Sequence, residues 1–242
     1  METPRTIWMW WEQGYDQAPA VVFASHASWR RLNPTWQVRT LDRNTLEEWL
    51  PNGDVQRIFG VPKPHETISD EVRIELLFRH GGVWADATTV CAKPLDDWLP
   101  AHISNGFFAF DRPSSDRLVA SWFLAAAQDS YIAKAWREAV AAFWRERTKS
   151  EDYFWFHKLF GELYGSDESF AAIWNATPKL TARHIFHFGP GDASVLLKPP
   201  SAEHLSNLSD PPSPVFKLTR KLPTQPQRDS LFDVLCRFAH GA

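Results

Sequence analysis

The chain has 242 residues, of which 44% are apolar; this is enough for one α/β domain with a buried core and too few for two full domains. The chain has 26 Lys and Arg residues and 29 Asp and Glu residues, so it lacks the basic excess typical of nucleic-acid binding. We therefore expect a small polar ligand and no nucleic acid. The two cysteines, Cys91 and Cys236, are too few for a disulfide framework and form no C-x-x-C pair, which predicts a reduced, cytoplasmic setting.

The hydrophobic segments are short. The apolar run in METPRTIWMWW ends at Glu12, and no later stretch approaches the ~20 apolar residues of a membrane span. The sequence therefore predicts neither a signal peptide nor a spanning helix. Peripheral contact of exposed aromatic side chains with the inner face of a membrane stays open.

Predicted strands and helices alternate in the first part of the chain. Residues 6–10 and 37–41 have the pattern of strands, and residues 19–32 and 44–50 that of helices. This β-α-β-α order is typical of a mostly parallel sheet flanked by helices, as in Rossmann-like α/β folds.

The remaining elements are less regular. A proline-rich loop with one helical turn is predicted for residues 51–65, and a loop that could cover a site as a lid is predicted beyond Gly189. The other predicted strands are 83–85, 90–95 and 107–110, and the other predicted helices are 69–80, 116–146 with a break near 128–130, 152–164, and 229–239.

Asp86 follows a predicted buried strand directly. Ligands of open parallel sheets bind outside the carboxyl ends of the strands, so this carboxylate is expected to point into that crevice. There it could hold a hard divalent cation that bridges to a diphosphate. The alternative is a strand-end turn in which Asp86 bonds its own backbone, which is the commoner use of a lone Asp.

Asp70 and Arg73 share a face of the predicted helix over 69–80, because residues three apart are neighbours on a helix surface. Asp70 could accept hydrogen bonds from sugar hydroxyls, while Arg73 clamps a phosphate or ribosyl oxygen. The alternative is an Asp favoured by the helix dipole and paired locally with Arg73.

Tryptophans lie at the end of the first predicted strand, which is expected at the same edge of the sheet as Asp86. Alternation sends Trp8 and Trp10 to one face and Met9 and Trp11 to the other, so one face of the set is expected to be core. One Trp stacked on a nucleobase is an interpretation that competes with simple packing.

Other candidates lie in the second half of the chain. Asp152 opens a predicted helix, either as a site residue for the acceptor or as an N-cap before an aromatic core face. Lys217, with its basic neighbours, is suited to grip a diphosphate or to form a solvated patch. Three histidines could complete a metal site, although isolated histidines are more often structural: His157, His184 and His187.

Several ordered motifs together resemble a known family. They are IWMWWEQGYDQAP with SWRRLNPTWQV, then ISDEVRIELLFRHGGVWADATTVCAKPLD, then ASWFLAA, DYFWFHKLF and FKLTRK. With them the chain resembles the bacterial capsular polysaccharide synthesis proteins, relatives of glycosyltransferases with a DXD sugar-binding motif and of the large clostridial glucosylating toxins. The similarity runs over nearly the whole chain.

The resemblance implies a GT-A fold, a nucleotide-sugar donor, a divalent metal such as Mn²⁺ or Mg²⁺, and transfer with retention of configuration to a glycan or lipid-linked sugar. It implies one domain over 1–242, with a donor half of about 1–112 and a helical, acceptor-side half of about 113–242. The expected catalytic residues are Asp86, Asp70 and Asp152. The expected donor-binding residues are Trp8, Asp70, Arg73, Asp86 and Lys217.

The DXD motif is altered in this chain. It reads Asp86-Ala87-Thr88, so the expected metal ligands are Asp86 and Thr88, and His184 or His187 could supply a missing ligand. Two other functions stay open: a sugar or nucleotide-sugar binding protein without turnover, which Thr88 suggests, and a sugar-phosphate or nucleotidyl transferase on a similar sheet.

Overall fold

Strands and helices alternate through most of the computed structural model, which describes residues 3–145, 147–150 and 152–242. The strands are β1 (Thr6–Trp10), β2 (Gln37–Leu41), β3 (Gly82–Ala85), β4 (Thr89–Cys91), β5 (Phe107–Ser114), β6 (Arg117–Ala126) and β7 (Val215–Lys217). The helices are α1 (Ala20–Leu32), α2 (Asn52–Phe59), α3 (His65–His80), α4 (Leu95–His102), α5 (Tyr131–Arg145), α6 (Trp155–Ser166), α7 (Glu168–Ala176), α8 (Ala193–Leu196), α9 (Ala202–Ser209) and α10 (Leu231–His240), with short 3-10 helices at Leu46–Glu48 and Pro190–Asp192.

The central sheet has five strands in the order β2-β1-β3-β6-β5. β1 pairs in parallel with β2 and with β3, whereas β6 runs antiparallel to both β3 and β5. Four of the five strands therefore point the same way. The predicted α/β class, with a Rossmann-like mixed and mostly parallel sheet flanked by helices, is confirmed.

Helices cover both faces of this sheet. Trp8 and Trp10 of β1 pack with α3, α5 and α6 on one face, while Ile7 and Met9 pack with α1 and α4 on the other. The alternation expected for β1 is thus present. Gly82 allows β1 and β3 to approach, because its φ of +89° suits glycine and an added Cβ would lie 2.6 Å from the Thr6 carbonyl oxygen.

A second, two-stranded ribbon lies beside the main sheet. β4 pairs antiparallel with β7, with Thr89 opposite Lys217 and Cys91 opposite Val215. α1 and α10 pack around this ribbon in a separate apolar cluster. The ribbon brings the chain near residue 217 beside the strand end at Asp86.

Two predicted helix boundaries are wrong. α3 begins at His65, four residues before the predicted start, with Pro64 as its N-cap; a proline beside the first turn removes only an N–H that has no intrahelical partner. Residues 117–126 form strand β6 and not a helix, because the strand is buried between β3 and β5 and so shows no polar alternation. The predicted break near 128–130 is present between β6 and α5. Glu146, the predicted end of this helix, lies outside the described residues.

Other helices were not predicted. The predicted loop over 51–65 contains the eight-residue helix α2, and the predicted lid, between the proline pairs at 199–200 and 211–212, contains helix α9. No helix was predicted at α4 or α7. The second half, which also contains β6 and β7, is helical only in part. Among the described residues, no helix combines the length and the apolar character needed to cross a membrane.

Candidate functional site

A cavity of about 570 Å³ opens at the carboxyl ends of β1 and β3. Its walls come from both halves of the chain, because α3 and the β3–β4 turn face the start of α6 and strand β7. The lining side chains that carry charge at its centre are Asp70, Arg73, Asp86 and Lys217.

Arg73 is held in the cavity wall from several directions. Its guanidinium lies 3.1 Å from Asp70 Oδ1 and 3.2 Å from Asp86 Oδ1, and it donates a 2.8 Å hydrogen bond to the Ser121 carbonyl oxygen. The side chain is only 5% exposed. Ser69 contributes two more acceptors, its carbonyl oxygen and its hydroxyl. The guanidinium is therefore held rigidly in the wall, where it positions Asp70 and Asp86 and adds positive charge beside the cavity.

Asp86 stands where the sequence places it, immediately after β3. The Asp86 backbone N–H donates to the Trp122 carbonyl oxygen at 2.9 Å, and Oδ1 accepts a 2.9 Å hydrogen bond from Trp84 Nε1. The turn after β3 uses the Asp86 carbonyl oxygen, which accepts from Thr89. The carboxylate is therefore directed toward the cavity by Trp84 and Arg73.

Lys217 reaches the same point from the ribbon. Lys217 Nζ lies 3.4 Å from Asp86 Oδ2 and 2.5 Å from Thr88 Oγ1, to which it donates a hydrogen bond. Burial lowers the pKa of Lys217, and the neighbouring Asp86 carboxylate opposes that shift. Lys217, which the sequence indicated only as part of a basic cluster, is thus a neighbour of both predicted metal ligands, Asp86 and Thr88.

Asp70 has an unusual electrostatic setting. Burial raises the pKa of Asp70 to about 7, although the Arg73 guanidinium acts in the opposite direction. Strongly shifted carboxylates in a cleft are common at functional sites. Asp70 can therefore exist in both protonation states near neutral pH.

Two residues of the cavity lining each have a buried polar atom without a hydrogen-bond partner. His157 Nδ1 and Trp122 Nε1 are buried without a hydrogen-bond partner, and both residues line the cavity. Burial together with nearby Arg73 and Arg117 lowers the pKa of His157 to about 3, so the imidazole is neutral. Buried polar atoms of this kind are expected to be satisfied by a ligand or by water.

Two predicted site residues lie elsewhere. Trp8 is 1% exposed, donates from Nε1 to the Gly81 carbonyl oxygen and packs edge-on against Trp49. The expectation that it stacks on a base is wrong for this geometry, because β1 sends it under α3. Trp10 and Trp11 line the cavity instead.

Asp152 is not among the cavity-lining residues. It pairs with Lys158 and caps the following turn by accepting from the Phe154 backbone N–H at 2.7 Å, which is the alternative interpretation of this residue. The neighbours Tyr153 and Phe154 line the cavity. Arg117, which the sequence analysis did not single out, lies 3.8 Å from the Phe154 ring centroid; no local motif marks it.

The residues around Asp86 do not fit a divalent metal well. Asp86 and Thr88 offer one carboxylate and one hydroxyl, and both already contact the Lys217 ammonium group, which would repel a cation placed between them. No group of three His, Cys, Asp or Glu side chains suited to a metal occurs in the described part of the chain. His187 lines the cavity but His184 does not, so the histidines do not complete a set with Asp86.

The fold and the cavity define an α/β protein with a cavity lined by charged side chains at the carboxyl edge of its sheet. The chain belongs to the capsular polysaccharide synthesis protein family, whose sequence profile matches residues 1–235.

Several named relatives are glycosyltransferases. The chain is 28% identical over 165 residues to glycosyltransferase afumC of Aspergillus fumigatus, covering 58% of this chain and 40% of that protein. It is 26% identical over 173 residues to O-glycosyltransferase braB of Annulohypoxylon truncatum, covering 64% of this chain and 40% of that protein. The chain thus spans about two fifths of the length of these curated relatives. Among solved structures, galactosyltransferase LgtC in complex with donor and acceptor sugar analogs matches with a TM-score of 0.47 and 13% identity, over 98% of this chain and 95% of that one.

Proposed function

We propose that this protein is a glycosyltransferase of GT-A type that transfers a sugar, of hexosyl type, from a nucleotide-sugar donor to a hydroxyl acceptor. The observation that carries the proposal is the junction of Arg73, Asp86 and Lys217 at the carboxyl edge of the sheet. Family membership and the names of the relatives support it. The acceptor class we propose is a glycan or a lipid-linked sugar in surface polysaccharide synthesis, at a cytoplasmic site.

On the donor side, the proposed roles follow from position. Lys217 contacts the diphosphate of the donor, and Arg73 adds positive charge to the cavity wall. Asp86 orients both cations, and Asp70 accepts hydrogen bonds from sugar hydroxyls. The bond between the sugar carbon and the diphosphate oxygen breaks, and its electron pair goes to the diphosphate. The acceptor oxygen forms the new bond to that carbon and gives its proton to a diphosphate oxygen.

Proton transfer to the leaving group fits the retaining outcome that we propose, since departure and attack then occur on one face of the sugar. The acceptor would lie against Tyr153 and Phe154, beside His157 Nδ1. In this arrangement residues 1–112 supply most of the donor site, and the later part supplies the acceptor wall together with Lys217.

Two other functions remain to be tested against this one. The hydroxyl of Thr88 at the second acidic DXD position is compatible with a nucleotide-sugar binding protein without turnover. A nucleotidyl transferase on a similar sheet would release pyrophosphate or a nucleoside monophosphate. The three functions differ in the product that they release.

The test is nucleotide release from UDP-, GDP- and CDP-sugars by the full chain, with acceptor glycans, in the presence of manganese or of a chelator. The glycosyltransferase proposal expects nucleoside diphosphate from one donor, and loss of that product in Asp86→Ala but not in Asp116→Ala, an exposed aspartate outside the cavity. Monophosphate or pyrophosphate as product would favour a nucleotidyl transferase. Binding of no nucleotide sugar at all would overturn the proposal.

A further inference from the structure

The position beside Asp86 and Thr88 is occupied by a cationic side chain of the protein itself. Lys217 Nζ contacts Asp86 Oδ2 at 3.4 Å and Thr88 Oγ1 at 2.5 Å. These are the two oxygen-bearing groups of the Asp-Ala-Thr sequence that could hold a metal. An ammonium group that touches both leaves the carboxylate already neutralised in part.

The backbone around Lys217 fixes this contact. Lys217 lies opposite Thr89 in the ribbon, and the next residue, Leu218, donates to the Thr88 carbonyl oxygen at 2.9 Å. On its other side the Lys217 backbone N–H donates to the Phe186 carbonyl oxygen, and the Lys217 carbonyl oxygen accepts from the Phe188 N–H. The backbone from which the Lys217 side chain extends is therefore held on both sides.

The side chain is also sheltered. Only 18% of the Lys217 side chain is exposed, and 22% of Asp86. Electrostatic interactions at such a position are screened less than on the surface. The ammonium is therefore well placed to act on a charged group that enters the cavity.

The balance of charge at the site favours an anion without any added cation. Arg73 and Lys217 both contact Asp86. The cavity lining contains five Lys and Arg side chains and four Asp and Glu side chains: Arg73, Arg117, Lys217, Arg220 and Lys221, and Glu12, Glu66, Asp70 and Asp86. A diphosphate brings several negative charges and would find the Lys217 ammonium group already in place as a donor.

We propose that Lys217 takes the place of the divalent cation, so that this chain binds and uses its nucleotide-sugar donor without a metal. Lys217 Nζ turns from Thr88 to the diphosphate and stabilises the negative charge that develops there as the bond to the sugar breaks. Asp86 then serves to hold Lys217 and Arg73, and Thr88 receives the ammonium group when no donor is bound. This inference rests on the proposed function.

The experiment is titration calorimetry of the full chain with UDP, GDP and CDP, after chelator treatment and again with added manganese. We expect one nucleoside diphosphate to bind with the same affinity in both conditions. Lys217→Met should weaken binding about tenfold or more without metal. Lys198→Met is the matched control, because Lys198 is exposed and outside the cavity.

The outcomes separate the two proposals. Binding that requires manganese would overturn the role of Lys217 and leave the glycosyltransferase proposal intact. Absence of binding for every nucleoside diphosphate in both conditions would overturn both. A second measurement needs no variant: water-proton relaxation of manganese mixed with the wild-type protein and the bound nucleotide should match that of manganese with the nucleotide alone, because the protein supplies no site for the ion. An enhanced relaxation signal from a bound manganese ion would contradict the inference even if Lys217→Met fails to fold.

Discussion

Helix α3 carries two clusters of charged side chains with opposite character. On one side, Glu71 and Glu75 are 0% and 1% exposed. They are paired with Arg57 of α2, Lys63 of the loop after α2, and Arg137 of α5. On the other, Asp70 and Arg73 face the cavity together with Asp86 and Lys217. We call the first cluster closed, because its two carboxylates are enclosed by basic side chains away from the cavity, and the second cluster open, because it lines the cavity. One helix thus carries charged residues that stabilise the fold and charged residues that line the proposed ligand site.

Breaking the closed cluster should have the largest effect on stability. Glu71 accepts from Arg57 at 2.8 Å and is paired with Lys63. Glu71→Gln leaves Lys63, whose side chain is 1% exposed, without its carboxylate, while Arg57 keeps Glu75. We expect the free energy of unfolding to fall by about 3–5 kcal/mol, measured by urea unfolding. Glu48→Gln, at an exposed position, should change it little. Equal stability of the two variants would show that the cluster does not hold α3 in place.

Changing the open cluster should affect function and spare the fold. Arg73→Lys keeps the charge but loses the planar fork that contacts Asp70, Asp86 and the Ser121 carbonyl oxygen. We expect kcat/KM for the donor to fall about tenfold to a hundredfold. The same change at Arg57→Lys, in the closed cluster, should leave kcat/KM unaltered in the folded protein. A similar loss for both would erase the distinction between the clusters.

The pH dependence of stability should distinguish Asp70. Its folded-state pKa of about 7 lies above the ordinary value of 3.8, so its stabilising contribution is complete below the unfolded pKa and is lost as pH rises through 7. Between about pH 5 and about pH 8, wild type should lose about 2 kcal/mol relative to Asp70→Asn, as measured by urea midpoints. Asp116→Asn gives the control, because Asp116 is exposed and its pKa is lowered. A pH-independent difference for Asp70→Asn would contradict the shift.

The smallest effect is expected at the rim of the cavity. The Tyr153 side chain is 65% exposed and lines the cavity beside Phe154. Tyr153→Ala should raise the KM for the acceptor about tenfold, as loss of one aromatic contact predicts, and leave nucleoside diphosphate binding unchanged. Phe23→Ala removes an exposed aromatic ring outside the cavity, 43% exposed, and should change neither quantity. A change in nucleotide affinity would show that Tyr153 contacts the donor and not the acceptor.

Sequence reasoning succeeded where the relevant interactions are local. Asp70 and Arg73 are three residues apart on one helix, and Asp86 follows its strand directly, so periodicity and strand direction locate all three. It failed where burial hides the pattern: β6 is apolar on both faces, and its sequence fits a helix equally well. For β1, alternation separates Trp8 from Met9 but does not indicate which face borders the site.

The contact between Lys217 and Thr88 lies beyond such reasoning, because it joins residues 129 positions apart. A basic cluster in a sequence marks charge without a location. Only the pairing of β4 with β7 tells that this lysine, and not the neighbouring basic residues, reaches Asp86.

The late position of β7 in the chain also has a consequence for folding. The central sheet requires only residues up to 126, yet the cation beside Asp86 arrives when β7 folds back onto β4. The site thus depends on a contact between distant segments that the central sheet does not need, and such contacts close slowly during folding. Ligand affinity would therefore report on completion of the ribbon and not on formation of the sheet.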